Sequence, residues 1–232
     1  MITNVLIVSI VGGFLCLDRV FLLLMLSRPI VAAPIIGFIL GDPYTGLIAG
    51  ALTELLWIDR LPIGMYLPPN DTIVAILIAA SSIEAGLILG TLPHGLISLS
   101  VLFFVPFGRI AQKMDLWIVK RNGEIADSIM QKAINGESYS LSSNHLFPLL
   151  KIWVLSSGLI MVSLLAGIFL LAFLFPSLPL WTVRGLELFY AMIPLIGTAI
   201  ALHSVHVRGA FPVFCGVFIL GTILFYYLKR VI

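Results

Sequence analysis

Between residues 54 and 72 the chain places four groups that could hold a polar ligand: Glu54, Asn70, Asp71 and Thr72. Carboxylates and amides suit a neutral polyol. Each accepts from hydroxyls, and one carboxylate can take two neighbouring hydroxyls at once. Trp57 and Tyr66, in the same window, add flat apolar faces for the C–H side of a sugar ring. Asn70, Asp71 and Thr72 follow Pro68-Pro69 and also read as ordinary helix N-cap residues, Thr72 most simply as a cap. Glu54 has no capping explanation. It is either a binding residue or one half of an ion pair with Arg28 or Arg60.

No other constellation competes. His203 and His206 stand three apart beside Arg208, but no carboxylate accompanies them in the segment, so an interfacial or packing role is expected. His94 reads as a satisfied histidine in an apolar run. Cys16 and Cys215 lie within apolar runs and imply neither a disulfide nor a metal site. There is no Walker motif, H-E-x-x-H, nucleophile elbow or CxxC. The expectation is a chain that catalyses nothing itself and holds neither cofactor nor metal.

What must position these residues follows from composition. Of 232 residues, 60% are apolar and 10% charged, against roughly 25% charged in an ordinary soluble domain, and the mean hydropathy is +1.15. A soluble domain of this length cannot hide so much apolar surface. The apolar runs are unbroken rather than alternating, which excludes a barrel and leaves helices crossing lipid. A net charge of +2 gives no reason to expect nucleic acid. The fold class is therefore all-α: a polytopic helical membrane protein with proline-broken and re-entrant helical hairpins.

The first run, Met1 to Leu17, has no basic region or small-residue cleavage site and reads as a retained helix. Asp18-Arg19 interrupts it, and Val20 to Leu40 is broken at Arg28-Pro29 and Pro34. Gly46 to Ile58 is too short to cross ~30 Å of hydrocarbon. The stretch from Asp59 to Asp71 cannot be regular helix, and irregular backbone at membrane depth survives only inside protein or beside a watery cavity. Transporters build substrate sites from such broken helices. Among ionisable groups near segment ends, Asp18, Arg19 and Asp42 read as snorkelling or headgroup residues. Arg28 has freed carbonyls near Pro29 to satisfy. Ile73 to Ala80 and Ile83 to Phe107 continue the membrane region, with Pro93 and Gly95 interrupting the latter.

Residues 1–107 thus form an N-terminal membrane region carrying the broken-helix site. Residues 108–148 form a basic, cytoplasmic loop by the positive-inside rule, with an amphipathic helix from Ile110 to Ile134. Residues 149–232 form a C-terminal membrane region. Its three apolar runs conflict with Arg208 and Lys229-Arg230 at the end, which a re-entrant segment at Leu186 to Leu202, containing Pro194 and Gly197, would reconcile. An internal echo, TGLIAGAL at 45–52 and AGLILGTL at 85–92, suggests either chance or a duplicated helical hairpin. Its small-xxx-small pairs, with Gly37/Gly41, favour close helix contact.

The ordered set LDR (17–19), SRPIVAAPIIGFILGD (27–42), TGLIAGALTELLW (45–57) and PIGMYLPPNDTIVAIL (62–77) resembles membrane subunit IIC of the mannose/fructose/sorbose family of the bacterial phosphotransferase system. The match departs at Leu52 and at Asp59-Arg60. The resemblance implies a sugar-permeation subunit in the bacterial inner membrane, paired with a IID membrane subunit in a hetero-oligomer. It implies a sugar bound within the membrane and a transport body moving against a scaffold. Soluble IIA and IIB phosphocarriers would phosphorylate the sugar, so no histidine here is a phosphohistidine. Carried over by motif, Glu54, Asn70 and Asp71 would contact sugar hydroxyls, with Thr72 as cap and secondary contact and Trp57 beside them. Two alternatives come from other classes: a structural or regulatory membrane subunit that moves nothing, and an ion-coupled transporter using Asp71 or Glu84 as its proton site.

Overall fold

A computed structural model describes residues 1–60, 66–135, 141–204 and 210–231, and all the regular elements among them are helices. Helix α1 (Ile2–Leu17) passes directly into one π-helical turn, Asp18–Leu22. The chain then leaves helical space: Leu23 and Met25 take left-handed conformations, with φ of 53° and 63°. Two short helices follow, α2 (Pro29–Leu40) and α3 (Pro43–Leu56). At 1.5 Å per residue they are about 18 and 21 Å long, too short to cross a bilayer separately. They pack closely on each other as the kind of short hairpin the sequence anticipates.

The ends of this hairpin are written locally. Each helix opens with proline at its first position, where the missing N–H costs nothing. Gly41 closes α2 in the left-handed region (φ 86°), and Asp42 caps α3 by accepting from the Thr45 amide (3.0 Å) and hydroxyl (2.6 Å). Asp42 thus has a local role as a helix cap. A Cβ on Gly46 would stand 2.6 Å from the Ala33 carbonyl oxygen and 3.0 Å from the Gly37 Cα, so the two backbones touch directly. Pro34 does not break α2: the helix runs through it, with α3 packed against the same turn.

Helix α4 (Asp71–Leu89) is the centre of the molecule, with 83% of its membrane-length window buried inside the protein. Helices α2, α3 and α7 surround it. Gly90 ends α4 in the left-handed region (φ 70°), and Pro93 leads into α5 (His94–Phe104). This identifies a better internal echo than the one at 45–52 and 85–92. TGLIAGAL opens a helix, whereas AGLILGTL closes one, so those segments are not structural counterparts. GFILG (37–41) and GLILG (86–90) are: each ends a helix on a left-handed glycine, and a proline follows within three residues.

The amphipathic helix is α6 (Phe107–Ile134). It follows α5 after a two-residue turn, and its first half joins the packed body through Ala111 and Ile118, both buried. Helix α7 (Leu141–Ser177) packs along α1 and α4, and α8 (Leu180–Ser204) lies against α5 and α3. The re-entrant break expected at Leu186 to Leu202 is not present. Helix α8 is continuous through Pro194 and, at 25 residues, long enough to cross. Helix α9 is Ala210–Val231. Among the described residues, five stretches are long and apolar enough to span a membrane: 2–22, 71–89, 94–132, 146–177 and 180–203.

Candidate functional site

Where α1 gives way to the π turn and α4 begins, a cavity of about 380 Å³ opens, within the ~300–1,000 Å³ usual for small-molecule sites. Asp71 and Asn70 line it from α4, and Asp18 and Arg19 from the π turn. Asp115 lines it from α6 and Ser156 from α7. Asp18 and Arg19, expected to snorkel or sit at headgroups, instead turn into the protein, Asp18 fully and Arg19 in part. Asp18 is 1% exposed. Its carboxylate accepts from the Leu24 amide (2.8 Å), the Ser27 amide (2.9 Å) and the Ser27 hydroxyl (3.0 Å), which fastens the irregular loop after the π turn. These bonds supply the partners that backbone leaving a helix inside a membrane protein requires. The apolar residues of that loop explain why the sequence hides this: Val20 to Leu26 reads as uninterrupted helix.

Arg19 donates to the Asp71 Oδ1 at 3.2 Å. That same oxygen accepts from the Thr72 amide at 3.0 Å, while Oδ2 accepts from no other residue among those described. Asp71 therefore has one carboxylate oxygen that no other described residue bonds, beside a guanidinium that can also donate. Asn70 is 1% exposed and holds α4 and α6 together. Its backbone N–H donates to the Gly108 carbonyl (3.0 Å), its Oδ1 caps the Ile73 amide (3.1 Å), and its Nδ2 donates to Asp115 Oδ2 (2.9 Å). Capping and site formation are thus one arrangement. Gln112, one turn before Asp115, adds a bond to the Leu67 carbonyl (2.5 Å), securing the segment that precedes α4.

The remaining residues singled out from sequence support the cavity from behind. Glu54 forms an ion pair with Arg28 and accepts weakly from the Ile30 amide (3.4 Å). Arg28 reaches the cavity; Glu54 is not among its lining residues. Of the two roles open to Glu54, the geometry forms the ion pair. Thr72 is fully buried and donates to the Ser27 carbonyl at 2.6 Å. It ties α4 to the Asp18 loop and has no hydroxyl proton left for a ligand. Trp57 packs toward Gly108 at the start of α6. Pro62 to Met65, part of the motif, lie outside the described residues, as do His206 and Arg208. His94 stacks on Tyr190, centroids 4.5 Å apart. Among the described residues no three His, Cys, Asp or Glu come together to hold a metal.

Sequence reasoning missed Asp115. It sits in a helix whose charges read as a solvated face, and only the packing of α6 against α4 turns this one inward. The one available signal was its single acidic position in the stretch between Arg109 and Lys120.

The family described as "PTS system sorbose-specific iic component" matches residues 2–231. The chain belongs to this family. Relatives of this IIC chain include a putative N-acetylgalactosamine permease IIC component 2 from Escherichia coli K12. It is 38% identical over 61 residues, covering 26% of this chain and 46% of that protein. The mannose-specific EIIC component of Escherichia coli K12 is 23% identical over 188 residues, or 81% of this chain and 68% of that one. The chain thus spans about half the length of the first relative. The fold is shared with a cryo-electron-microscopy structure described as mannose transporter ManYZ in complex with microcin E492. The TM-score is 0.59 at 19% identity, over 99% of this chain and 94% of that one. As a IIC family member with five candidate spans, the protein is a multi-pass protein of the bacterial inner membrane.

Proposed function

We propose that this chain is the sugar-permeation subunit of a phosphotransferase system. In this reading it translocates a hexose-like sugar together with a IID membrane partner, while soluble IIA and IIB phosphocarriers phosphorylate the sugar. The observation that carries the reading is the cavity at the break before α4, where Asp71 has one carboxylate oxygen that no other described residue bonds, beside Arg19. A carboxylate and a guanidinium side by side accept from and donate to adjacent hydroxyls, the pattern a sugar presents around its ring.

Asp71 makes the direct contact, with Asn70 setting the floor of the site. Glu54 acts through Arg28, which it holds toward the cavity. Thr72 and Asp18 both fix the irregular loop after the π turn, whose movement would open or close the site. The family match supports the partner and phosphocarrier assignments. The test is sugar uptake and phosphorylation by cells producing this chain with its IID, IIA and IIB companions, compared with cells lacking the chain. Sugar phosphate should accumulate only when the chain is present. Undiminished accumulation without it, or proton-gradient-driven uptake without any phosphoryl donor, overturns the reading.

A further inference from the structure

The polar groups of the cavity are not evenly distributed. On the side of the π turn and α4, every charged group has a partner. Arg19 holds Asp71, Arg28 holds Glu54, and Asp18 is saturated by three N–H and O–H donors. On α6 and α7, three further lining residues keep acceptor capacity that no donor among the described residues fills. Asp115 accepts only from Asn70, through Oδ2, and forms no ion pair among the described residues. The nearest cation acting on it, Arg19, is bonded to Asp71. Asn122 Oδ1 is buried without a hydrogen-bond partner. Ser156, 1% exposed, reaches no oxygen or nitrogen partner and faces only the Cys16 thiol. All three residues line the same cavity.

Buried acceptors without donors are expensive, and a half-buried carboxylate with one oxygen unmet adds to that cost. Three converging on one cavity wall describe a surface completed by something that donates. Asp115 lies two turns before Asn122 on α6 (an i, i+7 pair), so both share one face of the helix. Ser156 completes the wall from α7.

We infer that Asp115 is a specificity-determining residue of the site. With Asn122 and Ser156 it forms an acceptor wall that receives the donor-bearing edge of the sugar, adjoining the Asp71–Arg19 pair. This rests on the sugar-permeation reading and assigns that site a second face. The shared ligand chemistry is two adjacent hydrogen-bond donors, either neighbouring hydroxyls or a hydroxyl beside an ammonium as in an aminohexose. A sugar gripped only at Asp71 would leave the wall unmet, so the wall discriminates against sugars lacking a donor on that edge.

The test is equilibrium binding of radiolabelled glucose, glucosamine and the four singly deoxygenated glucoses (at C2, C3, C4 and C6). The protein is the purified complex of this chain with its membrane partner, carrying wild type, Asp115→Asn or Ser156→Ala. Asp115→Asn keeps the side-chain size and an oxygen for Asn70. We expect it to weaken glucose about ten- to hundredfold, as loss of a charged hydrogen bond does. One deoxyglucose should bind weakly to wild type and lose little more in Asp115→Asn, which identifies the hydroxyl read. Ser156→Ala should cost a few-fold on that same edge. A larger loss for glucosamine than for glucose assigns the ammonium to the wall; equal losses assign it hydroxyls. If Asp115→Asn and Ser156→Ala bind every sugar as wild type does, while Asp71→Asn does not, the inference fails and the permeation reading stands. If wild type binds no sugar, both fail.

Discussion

Two acidic residues in neighbouring elements, Glu54 in the α2–α3 hairpin and Asp71 at the head of α4, each meet an arginine, and the two pairs end in different situations. Glu54 is enclosed by Arg28 and the Ile30 amide and lies behind the cavity lining. Asp71 lines the cavity, shares one oxygen between Arg19 and its own helix end, and has its other oxygen bonded by no other described residue. The hairpin is built by contact between backbones, and its ion pair braces it. The head of α4 is built by caps and side-chain bonds around an open space. A carboxylate in a membrane protein is therefore not a binding group by virtue of its cost alone; what matters is whether an oxygen remains unmet.

The most severe way to break this contrast is on the hairpin side. Gly46→Leu would drive a side chain into the Ala33 carbonyl and the Gly37 backbone, neither of which can rotate away. We expect a loss of about 3 kcal/mol or more, seen as failure to recover assembled complex by size-exclusion chromatography. Next is Asp71→Asn. It should lower sugar affinity about a hundredfold, because a charged acceptor is lost and Arg19 keeps an uncompensated charge. The complex should still assemble, and binding of labelled sugar checks both points.

Glu54→Gln sharpens the comparison most directly. Arg28 is partly exposed, so the ion pair contributes at most about 1 kcal/mol, and affinity should fall only several-fold. A double-mutant cycle with Arg28→Gln should show the two effects to be strongly non-additive. A hundredfold loss from Glu54→Gln alone would make Glu54 a direct contact and erase the distinction. The smallest effect expected is for Thr72→Val, which keeps shape but removes the bond to the Ser27 carbonyl. It should cost about 1 kcal/mol in thermal stability and leave the sugar preference unchanged.

Much of the framework was legible in the residues themselves. Pro29, Gly41, Pro43, Asn70, Gly90 and Pro93 set helix boundaries through rules that act within a few residues, and the structure follows each. Gly37, Gly46 and Gly50 announced a close helix contact, while Gly41, paired with Gly37 in the sequence, ends α2 with nothing packed against it. The proline-rich stretch before Asp71 announced irregular backbone, and a cavity lies there. Legibility failed where a boundary depends on distant partners. Leu186 to Leu202 looked interrupted at Pro194, yet packing against α5 and α3 carries the helix through. Val20 to Leu26 looked helical, yet the Asp18 carboxylate gathers amides from six and nine residues ahead and holds the loop open.

The same division separates the two levels of the site. Composition and local spacing determined that this is an all-helical membrane protein and that Asn70 and Asp71 open a helix beside a break. Those signals arise within one turn or one lipid-length run. Only the tertiary structure decided that Arg19 belongs to Asp71, Arg28 to Glu54 and Asp115 to the cavity. Those pairings link residues 52, 26 and 45 positions apart. Hydropathy cannot rank helices that are all apolar, and a charge on an amphipathic helix shows its direction only once another helix has packed against it.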